Sequence, residues 1–325
     1  MKLPRRRFLQ VAGAAFAASA RIRRAAALDY PTRPVHLLVG FPPGGINDIT
    51  ARLIGAWLSE RLGQQFVIDN RLGAGSNLAA ELVARANPDG YTLLSASAVN
   101  AWNTAIYSNL NYDFIRDIVP VAIISRSGAV MEVNLSFPAR TVPDFIAYAK
   151  ANPGTVNMAT GGPGSGAHLY GELFKTMAGV DLVTVHYRGS GPALPDLISG
   201  RTQVTFDPIA SSIEYIRAGK LRPLGVTTAT RMDVLPDVPP IGDFVPGYVG
   251  TGWNAIGAPV NTPPEIIAIL NREVNAAVAD PKFRTRLGDL GVEPFSNSTD
   301  ELRKFVVEYT EKWAKVIRSA GIKAE

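Results

Sequence analysis

Val39-Gly40-Phe41-Pro42-Pro43-Gly44-Gly45-Ile46-Asn47-Asp48 closes an apolar run, turns through two glycines and opens a stretch of helical periodicity. A helix leaves its first four N–H groups unpaired and carries partial positive charge at that end, so a strand–glycine–helix junction offers donors to an anion. Glycine at the turn permits positive φ and close approach of a ligand to the backbone. Upstream, residues 35–39 read as a strand. Downstream, Ile49, Leu53, Ala56 and Trp57 recur at helical spacing up to Gly63, which is placed to end the helix. The junction is repeated. Gly73-Ala74-Gly75-Ser76-Asn77 follows a strand at 66–68, Gly161-Gly162-Pro163-Gly164-Ser165-Gly166 follows Ala159-Thr160, and Gly189-Ser190-Gly191 follows His186-Tyr187-Arg188. One glycine turn usually just joins a strand to a helix; four in one chain point to a binding surface.

Working outward, further strands are predicted at 91–94, 130–133, 156–159, 182–185, 204–206, 224–226 and 254–257. Helices are predicted between them at 77–86, 142–151, 167–178, 192–199 and 209–218. Two long helices close the chain. Ile266, Ile269, Leu270 and Val274 line the first, and Leu302, Phe305, Val306, Tyr309, Trp313, Val316 and Ile317 the second. Alternating strands and helices define an α/β fold with mainly parallel sheets and right-handed crossovers. The Pro- and Asp-rich stretch 231–246 is a connector. A chain of 325 residues exceeds the ~100–200 of one domain, so two lobes are expected. The proposed division is 28–126 with 247–325 as lobe 1 and 127–246 as lobe 2. Ligand sites in such sheets lie at the carboxyl ends of the strands.

The N-terminus reads as an export signal. Arg5-Arg6-Arg7-Phe8-Leu9 has the twin-arginine pattern, residues 11–20 are weakly apolar and rich in Ala, and Ala25-Ala26-Ala27 offers a cleavage site, giving a signal over 1–27. The apolar stretch is far short of the ~20 residues a bilayer span needs. Residues 1–27 hold seven Lys/Arg and no acid, which leaves 26 basic and 28 acidic residues beyond them, a net charge of −2. The basic character therefore belongs to the signal, and no stripe of Lys and Arg remains to bind nucleic acid. Absence of cysteine excludes disulfides, thiol catalysis, thiolate metal sites and a lipid-modified cysteine anchor.

Catalytic motifs fail on inspection. Ser165 lies in Pro163-Gly164-Ser165-Gly166-Ala167, without the outer glycines of a nucleophile elbow, and Ser190 sits between Arg188 and Pro192 at those positions. Gly73-Ala74-Gly75-Ser76-Asn77-Leu78 lacks the last glycine of a dinucleotide loop. His36, His168 and His186 show no metal-ligand spacing, so no metal and no cofactor are expected. His36 reads as structural; His168 and His186 either pack or touch ligand. Asp48 is placed to accept first-turn N–H groups. Asp207, after Val204-Thr205-Phe206, either positions donors or pairs with an ammonium group of an amino-acid ligand.

These residues together resemble the Bug-type periplasmic solute receptors of tripartite tricarboxylate transporters. The resemblance covers nearly the whole chain after the signal. It runs through Tyr30-Pro31-Thr32-Arg33-Pro34, Phe41-Pro42-Pro43-Gly44-Gly45 with Asp48, Asn70-Arg71 with Gly73-Ala74-Gly75, and Pro88-Asp89-Gly90-Tyr91-Thr92. It continues in Gly164-Ser165 with His168-Leu169 and Glu172-Leu173-Phe174, Tyr187-Arg188-Gly189 with Pro192-Ala193 and Asp196-Leu197, and Phe206-Asp207. It implies a type II periplasmic-binding-protein fold, two hinged lobes that close on a small organic carboxylate, delivery to membrane transporter subunits, and no catalysis. Carried over, the ligand contacts are Phe41, Gly44, Gly45, Asp48, Gly75, Ser76, Ser97 and Asn100 from the first lobe. Those of the second lobe are Thr160, Gly164, Ser165, His168, Tyr187 and Asp207. The second glycine loop departs from the usual G-A-G-G-x-x-G, with Ser76 and Leu78 in place of the later glycines. A soluble periplasmic monomer is expected. The alternatives are an exported esterase or isomerase acting on a carboxylate, and a receptor that reports ligand to a sensor protein.

Overall fold

The computed structural model describes residues 29–324. The predicted signal lies outside them. The described chain begins with β1 (Val35–Val39), α1 (Ile46–Leu62), β2 (Phe66–Asn70), α2 (Asn77–Ala84), β3 (Thr92–Ser97), α3 (Ala98–Ile106), α4 (Phe114–Asp117) and β4 (Ile118–Ser127). The chain then crosses into β5 (Ala129–Asn134), α5 (Val142–Ala151), β6 (Asn157–Thr160), α6 (Gly166–Ala178), β7 (Val183–His186), α7 (Ser190–Ile198), β8 (Val204–Pro208), α8 (Ile209–Arg217) and β9 (Leu221–Val226). It returns through β10 (Gly252–Pro259), α9 (Pro264–Ala279), α10 (Pro281–Asp289), β11 (Glu293–Pro294) and α11 (Thr299–Ser319).

The strands form two sheets of matching plan. In the first the order is β11-β4-β10-β3-β1-β2, and in the second β7-β6-β8-β5-β9. Each has a parallel trio beside an antiparallel strand that enters from a crossing segment, β10 next to β3 and β5 next to β8, and the first sheet adds the short β11, antiparallel to β4, at its edge. This duplicated order is the type II periplasmic-binding-protein arrangement, with the carboxyl ends of each trio on one edge.

Local sequence accounts for the elements. Gly63 ends α1 in the left-handed region at φ 71°, its N–H on Ser59 O. Thr141 with Asp144, and Ser298 with Glu301, form reciprocal capping boxes at the starts of α5 and α11. Three expectations needed correction. The buried stripe of α1 is Ala51, Ile54 and Leu58, whereas Leu53 and Trp57 are only half-buried. Trp57 instead meets Phe283 of α10 and donates to Glu273 O. Both long helices after β10 are present, but a short third one between them was not predicted, since Asp280 caps a separate helix beginning at Pro281. β4 was not predicted, because Pro120 interrupts an otherwise apolar run; it sits where the β4–β10 register shifts, the place in a sheet that tolerates proline. The lining of α11 holds at Leu302, Val306, Tyr309, Trp313, Val316 and Ile317, all buried, whereas Phe305 is only half-buried.

The lobes are stitched where the chain crosses. Thr227 N–H donates to Ala129 O, Thr227 Oγ1 accepts from Ala129 N–H, and Gly250 N–H donates to Thr227 O, all at 2.8–2.9 Å. A Cβ on Gly128 would stand 2.6 Å from Thr228 Cγ2, so the crossing strands require glycine there. Trp102 of α3, Tyr170 of α6 and Trp313 of α11 make an aromatic cluster, centroids 5.6–6.2 Å apart, in which Trp102 meets the other two edge-on and which joins both lobes to the returning helix.

Candidate functional site

The carboxyl ends of β1, β2 and β3 are in register, with Val39 opposite Asn70 and Ser95. Three loops therefore leave one edge of the first sheet. In the loop after β1, Gly44 takes φ +85° and Gly45 caps α1 without a side chain. The first intrahelical bond is Ile49 N–H to Gly45 O, so the amides of Ile46, Asn47 and Asp48 head the helix. Asp48 is 2% exposed, and its carboxylate accepts from Gly44 N–H, Arg52 Nε, Arg52 Nη2 and Asn70 Nδ2, each at 2.9 Å. Asn70 also donates to Phe41 O. Asp48 is thus a brace that fixes the turn and binds the loops of β1 and β2 together. Burial works against its charge, but the bonds from Arg52, Gly44 and Asn70 more than offset it, so the carboxyl titrates below the usual range. A lowered folded pKa stabilises above the unfolded pKa, and that contribution is lost as pH falls through the folded value. Asp48→Ala is expected to cost about 3 kcal/mol in chemical denaturation at pH 7, and less at acid pH, since it strands Arg52 and Asn70 and releases Gly44.

After β2 the backbone passes through three consecutive left-handed residues, Ala74 at φ 45°, Gly75 at 60° and Ser76 at 76°. Ser76 stands where the family pattern has glycine, and it adopts a left-handed conformation that glycine takes freely. What holds it is tertiary: Asn103 Nδ2 donates to Gly75 O at 2.7 Å, Asn100 Nδ2 to Ser76 Oγ at 3.2 Å, and Ser76 is seated flat on Gly40. Asn100 Oδ1 accepts from Ser97 N–H, whereas the buried Ser97 Oγ has no partner among the described residues.

The second lobe repeats the design. Thr160 and His186 are paired in the β6–β7 register, and Thr205 of β8 lies opposite Ala159. Ser165 caps α6 through its Oγ to His168 N–H, and Gly164 N–H donates to His168 Nδ1 at 3.1 Å. His168 is therefore neutral with its proton on Nε2, and burial, helped by His186, pushes its pKa down to about 4. Thr160 Oγ1 meets His186 Nδ1 at 2.8 Å, and the His168 and His186 rings cross edge-on at 4.7 Å. Tyr187 gives its hydroxyl to Asp196 at 2.8 Å. Asp207 accepts from Ser190 Oγ and lies within hydrogen-bond reach of Ser212 Oγ.

The jaws converge on the end of α3. A Cβ on Gly75 would lie 3.4 Å from Asn103 Nδ2, and one on Gly164 would lie 3.1 Å from Ile106 Cδ1. Most predicted polar side chains, including Asp48, Asn100, Thr160, Ser165, His168, Tyr187 and Asp207, are committed to holding loops. Arg52 is committed to Asp48 and Asn70. What such an edge can offer a ligand is the main chain of its glycine turns and helix starts. Sequence reading missed Gly40, Asn70 and Asn103 as loop fasteners, because the partner that gives each its role is 22–36 residues away along the chain, as Asn70 to Asp48 and Gly40 to Ser76 show. It also missed Glu132, although a glutamate inside an apolar strand was a signal.

Two lobes of duplicated plan, hinged and with glycine-turn helix starts on the edges that meet, define the class: a periplasmic-binding-protein-type receptor. Residues 50–322 match the tripartite tricarboxylate transporter family receptor, and the chain belongs to that family. It is 35% identical over 321 residues to protein BugT of Bordetella pertussis, covering 98% of each. It is also similar to the solved structure of R. palustris Rpa4515 with adipate, at 40% identity and TM-score 0.76 over 90% of this chain and 99% of that one. MatC (Rpa3494) from Rhodopseudomonas palustris with bound malate is 33% identical, TM-score 0.72, over 89% of this chain and 100% of that one. The family is one of transport receptors rather than enzymes, so the esterase or isomerase alternative is set aside. No described helix is long and apolar enough to cross a membrane.

Proposed function

We propose that this chain is a periplasmic receptor that binds a small organic carboxylate between its lobes and delivers it, as a monomer, to the membrane subunits of a tripartite tricarboxylate-type transporter. Residues 1–27 act as a twin-arginine-type export signal. Lobe 1 comprises 28–126 and 247–325 and lobe 2 comprises 127–246. The observation that carries the reading is the pairing of glycine-turn helix starts on equivalent edges of the two sheets, with the polar side chains around them spent as braces. Contacts come from Phe41, Gly44, Gly45, Gly75, Ser76, Ser97, Thr160, Gly164 and Ser165, with Thr160 and Ser165 acting through the main chain, while Asp48, Asn100, His168, Tyr187 and Asp207 act behind them. Relatives with bound adipate and malate support the ligand class.

The energetics suffice without a cationic cluster. A hydrogen bond to a charged group contributes about 1.5–3 kcal/mol net, and a helix end about 0.3–1 kcal/mol more. Micromolar affinity requires about 8 kcal/mol, which four or five such donors supply after association costs. Native mass spectrometry of protein isolated from the periplasm tests the reading: a bound species with the mass of a di- or tricarboxylate is expected. Recovery from the cytoplasm with residues 1–27 attached would contradict the export claim.

A further inference from the structure

Behind the second jaw lies a hydrogen-bonded chain that the binding reading does not use. Glu132 of β5 is 0% exposed, set between Thr205 of β8 and Pro223 of β9. Its Oε1 is 2.5 Å from Ser212 Oγ on α8. The same Ser212 Oγ is 3.1 Å from Asp207 Oδ2, and Ser190 Oγ is 2.6 Å from Asp207 Oδ1. Neither carboxyl group makes an ion pair among the described residues. On the elements packed against β5, Arg222 of β9 is engaged with the carbonyls of Leu135, Phe137 and Ala139, and Asp196 of α7 with Arg201 and Tyr187. Glu214 and Arg217 of α8 pair with each other, and Tyr215 packs into the Leu194–Leu197–Leu221 cluster.

A serine hydroxyl has one hydrogen. Ser212 Oγ can donate to one of the two carboxyl groups, so its contact with the other is attractive only if that group carries a proton and donates. Asp207 already has Ser190 as a donor, whereas Glu132 Oε2 has no partner among the described residues. An ionised Glu132 would be a fully buried charge with one bond. We propose that Glu132 is held as the neutral acid and is a positioning residue: it donates to Ser212, Ser212 donates to Asp207, and this one-way relay fixes Ser190 at the first turn of α7. Asp207 lies one residue before the end of β8 and Ser190 opens α7, so the relay sets the shape of the second jaw from behind. Burial pushes Glu132 up to about 8, with the charge of Asp207 adding to it, and pushes Asp207 up to about 6. Between those values the pair shares one proton.

The role in binding rests on the carboxylate-receptor reading; the protonation state does not. Infrared spectroscopy at pH 7 reads the latter directly. An un-ionised carboxyl C=O band is expected in the unaltered protein and is expected to vanish in Glu132→Gln. No such band, or one retained in the variant, overturns the proposal. A second readout is the pH profile of folding. A carboxyl with raised folded pKa loses its stabilising contribution as pH rises from its unfolded to its folded value. Around pH 7 the folded-to-unfolded ratio of the unaltered protein is expected to fall about tenfold more per pH unit than that of Glu132→Gln; parallel profiles overturn the proposal. With adipate as the probe, Glu132→Gln, whose amide donates to Ser212 as the acid did, is expected to keep its affinity, and Ser212→Ala to lose about tenfold. Equal affinity in Ser212→Ala removes the positioning role, and lack of adipate binding by the unaltered protein bears on the ligand class alone.

Discussion

Gly45→Leu is expected to lower carboxylate affinity at least about 100-fold while leaving the fold intact. Gly45 lies at φ −78°, a conformation open to any residue. Among the described residues a Cβ there would meet only Pro42 O, at 3.6 Å, so the new side chain projects from the loop edge into open space. The fold loses only the preference for glycine over leucine at a helix start, about 1 kcal/mol. The ligand loses much more. Leucine stands in front of the leading amides of α1, and denying a carboxylate two such donors costs about 3 kcal/mol or more. Calorimetric titration beside a denaturation curve separates the two effects; unchanged affinity would remove the first junction from the site.

Gly40→Ala should act in the opposite way, through the fold itself. Any Cβ at position 40 would overlap the Cα, Cβ and Oγ of Ser76, and backbone cannot yield as a flexible side chain does. The 73–76 loop must lift, breaking the Asn100 to Ser76 and Asn103 to Gly75 bonds that hold its left-handed residues. Overpacking of this kind costs about 3 kcal/mol, and an adipate-type ligand should lose affinity together with stability. The denaturant midpoint and affinity of Gly40→Ala report both losses. Wild-type values for both would mean that the loop is not seated as described.

Much of this was legible in the chain. The four glycine junctions announced helix starts at strand ends because turn chemistry is local, and the spacing of Leu302, Val306, Tyr309, Trp313 and Ile317 announced a buried face because helical periodicity is local too. What escaped depends on distant partners. β4 was hidden by Pro120, which reads as a breaker unless the bulge opposite Gly257 is known. The α1 stripe was misplaced by one step because Trp57, a large apolar residue, packs sideways on α10 instead of into the sheet. At the site, residue types were visible but their duties were not. Asp48 looked out of place in an anion site until Arg52, Asn70 and Gly44 were seen around it, and nothing in the sequence announced that the Tyr187 hydroxyl is donated to Asp196. Ser76 in a glycine position left the loop's conformation open, and its neighbours hold it in a left-handed backbone.

The claim underlying all of this is that the two glycine-lined edges close on a small carboxylate. The most direct measurement is calorimetric titration of the purified protein with adipate, malate and a panel of other di- and tricarboxylates, followed by small-angle scattering of each mixture. At least one acid is expected to bind with a dissociation constant in the micromolar range or below, about −8 kcal/mol or better, and to reduce the radius of gyration as the lobes close. No binding by any carboxylate, or binding without compaction, would contradict the account.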